Sequence, residues 1–169
     1  GGAGNPVNPN GVRTAYLWED ILGKYSLSDI LENYAQITFK EKEVKNKKTG
    51  KKEKKTVESI IWPRNHQLDC VRQLLKATRE GGVGQKFLIQ HSAGSGKSNS
   101  ITWLAYQLVG LLDGTTPILD TVIVVTDRVN LDTQIRDNIN SFKRLSNLVD
   151  WADSSQTLKD ALQDGKKII

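Results

Sequence analysis

The 169-residue chain has no methionine, a single cysteine and only two histidines. With no methionine at position 1 or anywhere else, the sequence is expected to be an excerpt of a longer protein. Cys70 has no second cysteine to pair with, so an internal disulfide is excluded and a reducing, cytoplasmic setting is expected. His66, His91 and Cys70 do not make up a zinc ligand set. Nor do they form a nucleophile–histidine–acid arrangement. No apolar run approaches the roughly 18 residues that a membrane span requires. No charged, then apolar, then small-residue leader opens the chain. A membrane is therefore not an expected partner.

Charge is present but confined. Residues 41–55, EKEVKNKKTGKKEKK, hold eight lysines and three glutamates, a balance equal to the net charge of +5 for the whole chain. Elsewhere basic and acidic residues cancel. The basic character belongs to one segment and is not by itself an argument for a nucleic-acid-binding domain. That segment is read either as a solvated tip or as a contact with a DNA backbone.

Residues 1–12 are rich in glycine, proline and asparagine and read as linker. Two short helical patterns follow. The first has Tyr16, Leu17, Ile21 and Leu22 on one face; the second has Leu27, Ile30, Leu31 and Tyr34, with Ser26 as its cap. The β-prone stretches 37–39 and 57–62 flank the lysine-rich segment, which with Thr49-Gly50 at its centre reads as a charged hairpin. From Pro63 the pattern alternates. A helix capped by Asn65 carries Leu68, Val71, Leu74 and Leu75 and ends at Gly81-Gly82. An apolar strand at 87–89 runs into a glycine loop. A helix from Lys97 presents Ile101, Leu104, Leu108 and Leu111 and stops near Gly114. A second apolar strand covers 121–125. A helix with Leu131, Ile135, Ile139 and Phe142 comes next, then a short one around Leu158, Ala161 and Leu162. The chain closes on Lys166-Lys167-Ile168-Ile169, which reads as the start of another strand. Apolar strands alternating with amphipathic helices imply an α/β fold with a parallel sheet covered on both faces.

The strongest chemical signal is HSAGSGKS at 91–98, set between strand and helix. A phosphate needs several backbone N–H groups converging on it, and Gly94, Ser95 and Gly96 allow a turn tight enough to present them. The N-terminus of the following helix adds partial positive charge. Lys97 would reach the terminal phosphates, and the Ser98 hydroxyl would take one magnesium position. His91 stands where a small residue is common. Gln67 has the donor and acceptor to read an adenine edge, although its spacing alone favours a solvated place in a first helical turn. Asp127 admits three roles: a second magnesium-linked carboxylate, part of a DNA-backbone loop with Thr126, or a helix cap.

Three strings together resemble the R subunit of type I restriction enzymes: RTAYLWEDIL at 13–22, PRNHQLD at 63–69 and QHSAGSGKSNS at 90–100, extended by VIVVTDRVNLDTQ within 121–134. The resemblance covers nearly the whole chain, with 41–55 the least typical part. It implies a subunit with a nuclease domain and two RecA-like motor domains of helicase superfamily two. Such subunits use ATP and Mg2+ to translocate duplex DNA before cleaving it, and work with modification and specificity subunits. On that implication Gln67 is the adenine-reading glutamine, Gly94-Ser95-Gly96-Lys97-Ser98 the phosphate loop, and Thr126 to Arg128 a DNA-contacting motif. Lys97 and Ser98 would serve catalysis. Residues 1–62 would be a linker with short helices and the hairpin, and 63–169 the first part of motor domain 1. The Asp-Glu pair, the arginine finger and the nuclease carboxylates are expected outside this stretch, which is expected to be inactive alone. The competing reading is a self-contained P-loop NTPase or phosphoryl-transfer or regulatory protein, not acting on DNA, in which Asp127 holds the metal. A third is a nucleotide-dependent scaffold.

Overall fold

The computed structural model describes residue 8 and residues 11–45, 52–127, 129–141 and 148–169. The expected Thr49-Gly50 turn, Arg128 and Phe142 lie outside the described residues. Two compact units emerge, Pro6–Pro63 and Arg64–Ile169.

In the first unit a π-helical turn, Leu17–Ile21, is closed by Leu22 N donating to Leu17 O at 2.7 Å. Of the face expected there only Ile21 is buried; Leu17 and Leu22 are exposed. Helix α1, Lys24–Asn33, starts after Gly23, so Ser26 lies inside the helix instead of capping it. Ile30 and Tyr34, one turn apart, supply its buried contacts. Strands β1, Gln36–Lys45, and β2, Lys52–Ile61, pair antiparallel from Gln36↔Ile61 to Lys45↔Lys52. Thr38 is buried and its hydroxyl meets Ser59 Oγ at 2.9 Å. Towards the tip, Lys52–Glu43 and Lys54–Glu41 pair across the strands with all four side chains exposed.

In the second unit α2, Asn65–Gly81, follows Arg64, which takes the cap position expected of Asn65, and ends where Gly82 turns with φ 67°. Helix α3, Lys97–Val109, stops at Gly110, short of Gly114. Gly114, at φ 60°, instead turns a small antiparallel hairpin, β3 (Leu112–Asp113) with β4 (Thr116–Pro117). Helices α4, Val129–Ser141, and α5, Ser155–Gln163, complete the set. Ser154 caps α5: its hydroxyl accepts from Thr157 N at 3.2 Å, and Thr157 Oγ1 accepts from Ser154 N at 3.0 Å.

The fold is therefore mixed helix and strand, and the expected parallel sheet is not formed among the described residues. Parallel pairing is limited to two bridges, Val122↔Ile168 and Val149↔Ile168. Segment 167–169 lies between the other two, with Ile169 N donating to Val122 O at 3.0 Å and Asp150 N to Ile168 O at 2.9 Å. Three residues are too few to extend a slanted parallel ladder. The expected strand at 87–89 joins no sheet, and Leu88 is 95% exposed. Around these bridges Ala105, Ile135, Ile139 and Ile168 form a buried cluster, with Ile101, Val122 and Trp151 packed against it. Trp103, Thr102 and Ala105 are the most buried side chains of α3, whereas Ile101, Leu104 and Leu108 are only partly covered. A helix flanked by α2 and α4 buries more than one stripe, and a single-face pattern misses this. Among the described residues no helix is long and apolar enough to cross a membrane.

Candidate phosphate-binding loop

The loop at 91–96 is shaped by glycine at two points. Gly94 and Gly96 have φ of 73° and 84°, in the left-handed region that costs other residues about 1–2 kcal/mol. Gly96 is also the N-cap of α3. A Cβ there would stand 2.5 Å from Gln67 Nε2, so a side chain at this position displaces that amide as well as straining the backbone.

That contact is a hydrogen bond: Gln67 Nε2 donates to Gly96 O at 2.8 Å. The same amide's Oε1 accepts from Arg64 N at 2.9 Å. Gln67 is 3% exposed, and both ends of its amide are used within the protein. The solvated place that its spacing favours is not what the structure shows, because two backbone groups draw the amide inward. His66 Nε2 lies 3.1 Å from Ser95 O, and Arg64 Nη1 lies 3.5 Å from Gly94 O. The first turn of α2 and the residue before it thus hold three successive carbonyls of the loop. Sequence reasoning singled out Gln67 alone. Arg64 and His66 lie in the same string, but their acceptors are backbone carbonyls, which no motif spells out.

Lys97 folds over the loop, its Nζ donating to Ser92 O at 2.8 Å and His91 O at 3.1 Å. Ser92 O also accepts from Ser95 N at 3.3 Å, closing the turn. The ammonium is thus held at the loop by carbonyls that a phosphate would replace. Ser98 is the second residue of α3 and is half-buried. Ser95 Oγ is buried and has no hydrogen-bond partner. The first amides of α3 lack intrahelical acceptors, as at every helix start. A buried orphan hydroxyl, free helix-start amides, and a cation beside them suit a polyphosphate.

His91 and His66 meet edge to face, with ring centroids 5.1 Å apart and planes at 89°. Behind them a cavity of about 570 Å³ opens between α2 and 86–91, bounded by Asp69, Cys70, Phe87 and Ile89 among others. Burial, and then the charge of Asp69, push the Cys70 thiol above its ordinary pKa, which disfavours the thiolate. Among the described residues no group of three His, Cys, Asp or Glu side chains is placed to hold a metal.

Thr126 and Asp127 follow the extended segment 121–125, and Thr126 lines a second cavity of about 240 Å³ with Arg136 and Trp151. Arg136 donates to Asp132 and Asp153, each at 2.7 Å, and its guanidinium lies 4.6 Å from the centroid of Trp151. Helices α3 and α4 are joined by Asn138 Nδ2 donating to Asn99 Oδ1 at 2.9 Å, two residues from Lys97.

Residues 66–169 match the family model described as SWI2/SNF2 ATPase. No curated protein and no solved structure matches the chain.

Proposed function

The chain belongs to the SWI2/SNF2 ATPase family, an ATP-driven, helicase-like motor family, and on that premise we propose that it is the ATP-binding part of the motor subunit of a type I restriction enzyme. The observation that carries the ATP-site reading is the loop at 91–98, braced from α2 and opening onto the start of α3. What favours the restriction subunit within the family is the set of strings at 13–22, 63–69, 90–100 and 121–134, two of which flank or form the loop.

On this reading the loop amides and Lys97 hold the phosphates of ATP, and Ser98 contributes one oxygen to Mg2+. Bound ATP with Mg2+ supplies the phosphoryl group whose transfer to water drives movement. Lys97 leaves the carbonyls of His91 and Ser92 for the phosphates, exchanging two neutral acceptors for an anionic one. Gln67 is assigned to the site with a constraint: one lone pair and one N–H of its amide are given to Arg64 N and Gly96 O, which leaves the second of each for adenine. Thr126, with Arg128, is assigned to the DNA backbone. Residues 63–169 are then the first part of motor domain 1 and residues 1–62 its leading linker, with duplex DNA and the modification and specificity subunits as partners and the lysine-rich segment 41–55 as a further candidate DNA contact.

The test is ATP hydrolysis by the longer protein with and without duplex DNA. Strong stimulation by DNA, lost in Lys97→Ala, supports the motor. Hydrolysis indifferent to DNA and abolished by Asp127→Ala would favour the self-contained enzyme.

A further inference from the structure

We infer that His66 is a positioning residue for the phosphate loop, aiming the Gly96 amide by holding the Ser95 carbonyl. The inference rests on the nucleotide-site reading and adds a residue that no part of that reading requires.

A trans peptide unit is planar, and its C=O and N–H point in opposite directions. The described chain has no cis peptide bonds. Ser95 O and Gly96 N belong to one such unit, and Gly96 O and Lys97 N to the next. His66 Nε2 holds the first carbonyl at 3.1 Å and Gln67 Nε2 the second at 2.8 Å, both from the first turn of α2. Each carbonyl drawn towards α2 turns the paired amide away from it. The unit before these is different: Ser95 N already donates to Ser92 O, so its amide is used within the loop. Among the amides open to an anion are those of Gly96 and Lys97, whose peptide units His66 and, together with the first turn of α3, Gln67 hold.

Gly94 and Gly96 make this bracing necessary. A loop that needs two left-handed glycines has many other backbone states available, and glycine loses the most freedom when one is fixed. Because Ser95 O accepts, His66 donates from Nε2. The imidazole is steadied by the His91 ring set edge-on at 5.1 Å. His91, the unusual residue of the loop, thereby supports the residue that braces it.

The side chain of glutamine carries an N–H donor as many bonds from Cα as Nε2 of histidine; leucine has similar bulk and no donor. His66→Leu and His66→Gln are therefore made in the 169-residue chain. Binding of ATP with Mg2+ and of ADP is measured by calorimetry, and the amide resonances of Gly94 to Lys97 are followed without nucleotide. His66→Leu is expected to shift the Gly96 amide resonance, weaken both nucleotides roughly three- to tenfold, the size of one hydrogen bond, and leave the melting temperature unchanged. His66→Gln is expected to restore affinity and the resonance position. An unmoved Gly96 resonance in His66→Leu, or a His66→Gln variant as weak as His66→Leu, overturns the inference. If the unaltered chain binds neither nucleotide, the nucleotide-site reading fails, while the Gly96 resonance still decides whether His66 braces the loop.

Discussion

The hairpin of β1 and β2 and the loop at 91–96 are held in opposite ways. In the hairpin the backbone satisfies itself through a ten-residue ladder, and the charged side chains stand in solvent, paired loosely across the strands. In the loop there is no ladder. Its carbonyls are held by Arg64, His66, Gln67 and Lys97, and the Ser95 amide closes the turn onto Ser92 O. A backbone that completes its own hydrogen bonds tolerates side-chain change. A backbone that relies on named side chains does not.

The largest effect that would sharpen this contrast is expected at Gly96. Gly96→Ala incurs about 1–2 kcal/mol for left-handed backbone and drives a Cβ into Gln67 Nε2, displacing its bond to Gly96 O. Both a lowered melting temperature and loss of nucleotide binding should follow. Wild-type binding by this variant would mean that the loop adapts freely. Next comes Gln67→Leu, which leaves Arg64 N facing an apolar group and removes one donor from Gly96 O, whose bonds from Asn99 N and Ser100 N remain. A loss of roughly 1–3 kcal/mol is expected in chemical denaturation of the Arg64–Ile169 unit. The smallest effect belongs to the hairpin. Removing both exposed pairs with Lys52→Ala and Lys54→Ala should change stability by no more than about 0.5 kcal/mol. A drop in melting temperature as large as that of Gln67→Leu would break the comparison.

The loop was legible because its signals are local: glycines before Lys97, an apolar run before them and helical spacing after. The parts that were not legible depend on partners far away in the sequence. The 87–89 run has the composition of a buried strand, but a strand exists only where a neighbour completes its ladder, and none of the described residues does so. The pattern picked out Ile101, Leu104, Leu108 and Leu111; Leu111, just past the end of α3, is buried, while within α3 packing by α2 on one side and α4 on the other buried Thr102, Trp103 and Ala105 more deeply than the other three. Gln67 looked like a solvent residue of a first turn until Arg64 N and Gly96 O claimed its amide. Arg64 and His66 bind carbonyl oxygens, and every residue has one of those, so nothing in the string advertises the contact. The SWI2/SNF2 match begins at His66, so it takes in the bracing His66 and Gln67 as well as the loop.

The central claim is that Lys97 closes the loop over its own carbonyls only until a polyphosphate takes their place. Calorimetric titration of the chain with ATP and Mg2+, set beside Lys97→Ala, tests this directly. The account predicts binding by the unaltered chain that weakens roughly ten- to hundredfold in Lys97→Ala, the scale of charge-assisted hydrogen bonds, with the fold intact by circular dichroism. Equal affinity in the two proteins would contradict it.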